Sequence, residues 1–224
     1  MQKKYYIVLD TETCPLVTSN KVDPWNMWVY DLGFAVVDRK GNVYEKHSFV
    51  IADIFEAEPE LMRSAYYTSK LPQYYEDLQN GSREMVSFYT ARATLLDAMK
   101  RYGTNIIIAH NARFDDISLK NTQRWLTKSK YRYFLPYGTE VWDTMKMAQD
   151  TICKQKTYKL WCKQNGHLTS NHQVRKTAEV LYKYISCDDD FVESHTALED
   201  VLIEKEIFAK CMAQHKKMRK ALYG

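Results

Sequence analysis

The chain has no apolar run near the ~18 residues that a membrane-spanning helix needs, so a membrane partner is not expected. Its opening apolar stretch, Ile7-Val8-Leu9, stops at Asp10, too short for the core of a secretion signal. Cysteine is sparse and scattered: Cys14, Cys153, Cys162, Cys187 and Cys211 include no C-x-x-C pair. That excludes a disulfide framework and fits free thiols in a cytoplasmic protein. Glycine (7) and proline (5) are too few among 224 residues for a flexible tether. Internal repeats and low-complexity segments are absent as well, so residues 1–224 read as one domain. That length can bury a sizeable core without staples. Apolar residues at 45% and charged residues at 27% exclude wholesale disorder. A net charge of +4 permits an acidic partner without demanding one.

Hydrophobic patterning gives a coarse element order. Residues 5–9 form a short β-prone run. Residues 29–37 and 43–51 are two more, flanking Asp38-Arg39-Lys40-Gly41-Asn42, and read as a hairpin. Met85, Phe88, Tyr89, Leu95, Leu96 and Met99 recur at three- and four-residue steps, so 82–101 reads as a helix. Ile106-Ile107-Ile108 is a buried strand, and 114–126 and 196–216 are helices. Hairpin strands followed by a helical crossover imply a mixed sheet with helices on its faces.

Three acidic clusters stand at the ends of these elements. Asp10 and Glu12 follow the first strand and, two residues apart, share a face. Taken alone, they are solvated strand-end acids. His110-Asn111-Ala112-Arg113-Phe114-Asp115-Asp116 follows the triple-isoleucine strand and opens a helix. Taken alone, its acids are helix-capping groups, and Asp115 competes with Asp116 for any further role. His195 and Asp200 form the third cluster. Five residues turn an α-helix by about 140° past a full circle, so the two face one cleft only if His195 precedes the helix or sits in its first turn. Together, four acids and a histidine are what two-metal phosphodiester hydrolysis needs. In that chemistry two cations about 3.5–4 Å apart stabilise the attacking and leaving oxygens, and a general base takes a proton from water.

These motifs resemble the DEDDh branch of the 3′→5′ exonucleases, which includes proofreading exonucleases, ribonuclease T and oligoribonuclease. Asp10-Thr11-Glu12 matches the first motif. His110-Asn111-x-x-Phe114-Asp115 matches the second, and Phe114 selects Asp115 over Asp116. His195-x-Ala197-x-x-Asp200 matches the third, where His195 in place of tyrosine selects the branch. Trp142-Asp143-Thr144-Met145 is similar to the family's D-T-[LM] segment. The resemblance implies an α/β, ribonuclease H-like fold with a mixed five-stranded sheet flanked by helices. A basic, mostly helical insertion around 145–194 departs from shorter family members. It implies two Mg²⁺ or Mn²⁺ ions held by Asp10, Glu12, Asp115 and Asp200, with His195 as general base. Thr11, Thr13, Asn111 and Phe114 would contact the substrate. The substrate would be the 3′ end of a single strand, DNA favoured, released as nucleoside 5′-monophosphates. The resemblance implies a stand-alone nuclease, similar to small phage-encoded members, with a polymerase or replication protein as its partner. The alternatives are an oligoribonuclease-like RNA nuclease and a catalytically silent nucleic-acid-binding protein that keeps the fold.

Two stretches free of acids suit a nucleic-acid strand. In 151–178, Lys154, Lys156, Lys159, Lys163, Arg175 and Lys176 interleave with Tyr158 and Trp161. In 117–139, Lys120, Arg124, Lys128, Lys130 and Arg132 accompany Trp125, Tyr131 and Tyr133. Cations follow phosphates, and aromatic rings stack on bases. The bland reading is a solvated face of lysines over core aromatics. A zinc reading of Cys153, Cys162, His167 and His172 lacks the tight C-x₂₋₄-C knuckle.

Overall fold

The computed structural model describes residues 3–18, 21–63, 65 and 68–223. Strands β1 (Tyr5–Thr18), β2 (Lys21–Asp38) and β3 (Val43–Ile51) form an antiparallel meander. Gly41, at a left-handed φ of 82°, donates its N–H to the Asp38 carbonyl, and the Asp38 side chain accepts from the backbone of Lys40 and Asn42. This is the turn the sequence suggests between β2 and β3. Short helices α1 (Ala52–Phe55) and α2 (Pro59–Met62) and the longer α3 (Leu71–Asn80) lead to β4 (Glu84–Val86) and α4 (Phe88–Arg101). Then come β5 (Ile106–Ala109), α5 (Arg113–Thr127), β6 (Glu140–Asp143) and α6 (Thr144–Asp150). Helices α7 (Lys156–Gln164), α8 (Ala178–Ser186) and α9 (Ala197–Ala213) complete the chain order. Among the described residues no helix is long and apolar enough to cross a membrane.

The six-stranded sheet has the order β4-β3-β2-β1-β5-β6. It is mixed, with β5 and β6 parallel to β1 and β4 parallel to β3. The sequence suggested five strands. The sixth, β4, is three residues long and lies inside the expected helix 82–101, where helical spacing masks it. That helix starts at Phe88 because the Ser87 hydroxyl caps it, accepting from the Thr90 N–H. The first hairpin also runs further than the apolar run of 5–9. Residues 13–18 and 21–28 extend the β1–β2 ladder beyond the apolar runs.

The core splits by strand alternation. Ile7, Leu9, Phe34 and Val36 pack with Leu95 of α4 and Leu119 of α5 on one face. Tyr6, Val8, Ala35 and Val37 pack with Val201, Ile207 and Phe208 of α9 on the other. The same alternation turns Asp10 and Glu12 toward the face that α9 covers. Pairing of β1 with β5 ends at Val8↔Ile108. The two acids therefore stand just past the carboxyl end of the parallel ladder, where α/β sheets open their clefts.

Candidate active site

Asp10, Glu12 and Asp200 converge: one ligand oxygen from each lies within 4.8 Å of the others. They line a cavity of about 420 Å³ together with Asp115, His195, Asn111, Phe114, Thr11 and Thr13. Every residue that the sequence assigned to the site thus borders one space, although β1, α5, α9 and the residues just before those two helices supply them from distant parts of the chain.

Local structure explains each placement. α9 begins at Ala197, so His195 precedes the helix and can face the cleft that Asp200 enters from the first turn. His195 adopts a left-handed φ of 54°, a region that histidine visits more readily than most residues. The Asp200 carboxylate accepts from the His195 backbone N–H, while its buried Oδ1 has no hydrogen-bond partner. Asp115 accepts from the Thr11 hydroxyl at 2.8 Å, which ties α5 to β1. Asp116 turns away to Lys120 and to the Tyr223 hydroxyl. Of the two adjacent acids, Asp115 borders the cavity and Asp116 does not. Thr13 donates its hydroxyl to the Met27 sulfur, so the hydroxyls of both threonines are engaged.

The electrostatics are those of an acidic pocket. Burial, then Asp200, pushes the Glu12 carboxyl up to about 9. Burial, then Glu193, raises Asp200 to about 8, and burial raises Asp115 to about 7. Asp10 is held well above the carboxylate range by burial and by Glu204, Asp115, Glu12 and Asp200. An all-oxygen donor set with an unpartnered buried carboxylate oxygen suits a hard divalent cation. The Cys153–Cys162–His167–His172 set does not form such a group among the described residues. Both cysteines are buried, in the apolar core beside α9.

Glu193, Asp31 and Arg83, which the sequence did not single out, complete the surroundings together with the motif residues His110 and Asp143. Glu193 borders the cavity, its carboxylate 3.8 Å from His195 Nδ1. His110 is fixed through both ring nitrogens, Nδ1 to the Thr144 hydroxyl (2.9 Å) and Nε2 to the Lys176 carbonyl (2.8 Å). The carbonyl requires an Nε2–H donor. Asp143 caps α6 through the Met145 N–H and also accepts from the Asn111 N–H. The D-T-[LM] segment therefore braces the turn that carries Asn111. Asp31, fully buried on β2, accepts from the Ala197 N–H, the Tyr74 hydroxyl and Arg83. Arg83 also binds Asp77 and Glu199. This buried network anchors the start of α9.

The two basic stretches fare differently. Tyr158 is buried and Trp161 packs on Tyr158, His167 and Tyr184, so the aromatics of 151–178 are mainly core. Arg175 and Lys176 border a second cavity that shares Met145 and Thr177 with the first. In 117–139 the aromatics Trp125, Tyr131 and Tyr133 are exposed, with Lys128 over Trp125, Lys130 over Tyr131 and Lys120 and Arg124 over Tyr133.

No protein-family model matches the chain, and neither does any curated protein. Solved structures do. The nuclease domain of 3′hExo, a DEDDh family member bound to rAMP, matches with a TM-score of 0.64 and 11% identity, over 97% of this chain and 96% of that one. A 3′-exonuclease described in 3′-end specific recognition of a histone mRNA stem-loop gives a TM-score of 0.65 at 10% identity, over 98% and 86%. A full-length 3′-exonuclease gives 0.64 at 11%, also over 98% and 86%. The chain has the fold of the DEDDh 3′-exonucleases that its motifs resemble.

Proposed function

We propose that the protein is a metal-dependent 3′→5′ exonuclease that hydrolyses single-stranded nucleic acid, DNA favoured, to nucleoside 5′-monophosphates. The observation that carries this reading is the convergence of Asp10, Glu12 and Asp200, with Asp115 and His195 on the same cavity. Asp10, Glu12 and Asp200 would hold one Mg²⁺ or Mn²⁺ and Asp10 with Asp115 a second, which when bound would acidify the attacking water and neutralise the leaving 3′-oxygen.

The chain's own residues do the rest. His195 accepts the proton of the attacking water. Burial holds its pKa below the ordinary 6.5, so the ring is neutral and able to accept at neutral pH. Glu193, beside Nδ1, orients the ring and stabilises it once protonated. Asn111 and Phe114 lie on the rim, where the terminal sugar and base would rest. Thr11 holds the Asp115 carboxylate in place. The strand would leave the pocket along the cavity bordered by Arg175 and Lys176, cations that suit its phosphates.

The test is incubation of 5′-labelled DNA and RNA oligonucleotides with Mg²⁺ or Mn²⁺. A ladder that shortens from the 3′ end, stopped by EDTA, supports the reading; faster shortening of RNA would replace DNA as the substrate. No shortening of either polymer with either metal overturns the nuclease reading and leaves a silent nucleic-acid-binding protein.

A further inference from the structure

Glu204 lies four residues after Asp200 on α9, so the two project from the same face about one turn apart. That face meets β1, on the side where Asp10 points. Glu204 is 2% exposed and borders the cavity with Asp10, Asp115 and Asp200. Its carboxylate accepts from the His110 backbone N–H, while Oε2 is buried without a hydrogen-bond partner. Of the neighbouring charges, Glu204 acts on Asp10 most strongly, ahead of Asp115, Glu12 and Asp200. The charged side chains that act on it most strongly are all acidic: Asp115, Asp200 and Glu193.

A buried carboxylate with no cation partner is unfavourable unless something positive is supplied. Glu204 is almost fully buried, and its Oε2 has no hydrogen-bond partner. We propose that Glu204 is a fifth carboxylate of the metal site, reaching the divalent cation between Asp10 and Asp115, directly or through one water. This rests on the metal-dependent reading above and adds a ligand to it. The bond from the His110 N–H gives Glu204 a second effect. It links the cation to the turn that carries Asn111, so that metal binding and substrate contact are braced by one side chain.

The experiment is a Mn²⁺ titration of the full chain, free of nucleic acid, followed by electron paramagnetic resonance. Glu204→Gln keeps the length of the side chain and an oxygen that accepts from His110, and removes the charge. Wild-type protein is expected to bind two Mn²⁺, and E204Q to keep one while the other weakens about 10–100-fold. E204Q that binds both ions as wild type does would overturn the proposal and leave Glu204 a brace for the His110 turn. Should E204Q not fold, Glu204→Asp withdraws the carboxylate by one methylene. Weaker second-ion binding then supports the proposal and unchanged binding overturns it. A wild-type chain that binds no Mn²⁺ overturns this inference and the metal-dependent reading together. Loss of one ion in E204Q from a chain that cuts no strand would keep this inference and remove only the nuclease reading.

Discussion

Gly33 of β2 lies directly beneath Ala197, the first residue of α9: a Cβ at Gly33 would stand 2.5 Å from the Ala197 carbonyl carbon. Gly33 is also the cross-strand partner of Asp10. The absence of one side chain lets the helix bearing Asp200 come down onto the strand pair bearing Asp10 and Glu12. Gly33→Ala should push the start of α9 outward, costing about 1–3 kcal/mol of stability. Because it moves Asp200 and His195 together, it should also cut turnover about 10²-fold. Thermal melting and steady-state rates check both; a full rate in this variant would mean that the approach does not set the site.

Arg83 and Asp31 hold the same helix from below, with side chains 2% and 0% exposed. Replacing Arg83 with Met would leave the Asp31 carboxylate buried beside Tyr74 without its cation. The expected loss is about 3–5 kcal/mol in urea unfolding. Adding Asp31→Asn should recover part of it, since the uncompensated charge is then gone. A loss under about 1 kcal/mol would show that the network contributes little to anchoring α9.

Metal-free protein should lose stability as pH rises. Glu12, Asp200 and Asp115 titrate near 9, 8 and 7 in the fold, with burial the first cause in each, against ordinary values of 4.5, 3.8 and 3.8. Between about pH 4 and 9 the folded chain therefore binds more protons than the unfolded one. Stability from these groups is complete below that window and drains away as pH rises through it. The melting temperature in EDTA should fall from pH 5 to pH 9, and saturating Mg²⁺ should reverse the fall. A metal-free melting temperature that climbs over this range would contradict the assignment.

His195→Gln should lower turnover about 10²–10⁴-fold while two-ion binding stays as in wild type. The wild-type acid limb, expected below pH 6.5 because burial lowers the His195 pKa, should vanish in the variant. Retention of that limb would move the proton acceptor elsewhere.

Much of the site could be read from the sequence because its acids sit where periodicity locates strand ends and helix starts. Alternation sets Asp10 and Glu12 on one face, and Asp115, the acid next to Phe114, borders the cavity while Asp116 pairs with Lys120. The supporting residues were not legible. Asp31 and Arg83 look like surface charges in a sequence, and their burial depends on a contact between residues 52 positions apart. Glu204 did leave a signal, an acid one helical turn after Asp200, but an acid at that spacing is common on exposed helix faces. β4 was hidden by its length, three residues inside a helical pattern. Trp161 and Tyr133 both read as candidate stacking rings. Only packing distinguishes them, one built into the α7–α8 core and the other left at the surface.

Anomalous scattering from a crystal soaked in Mn²⁺ tests the pocket most directly. Two peaks about 3.5–4 Å apart, with Asp10 between them, Glu12 and Asp200 on one and Asp115 on the other, are the expected result. A pocket that stays empty at saturating Mn²⁺, or ions bound elsewhere on the protein, would contradict it.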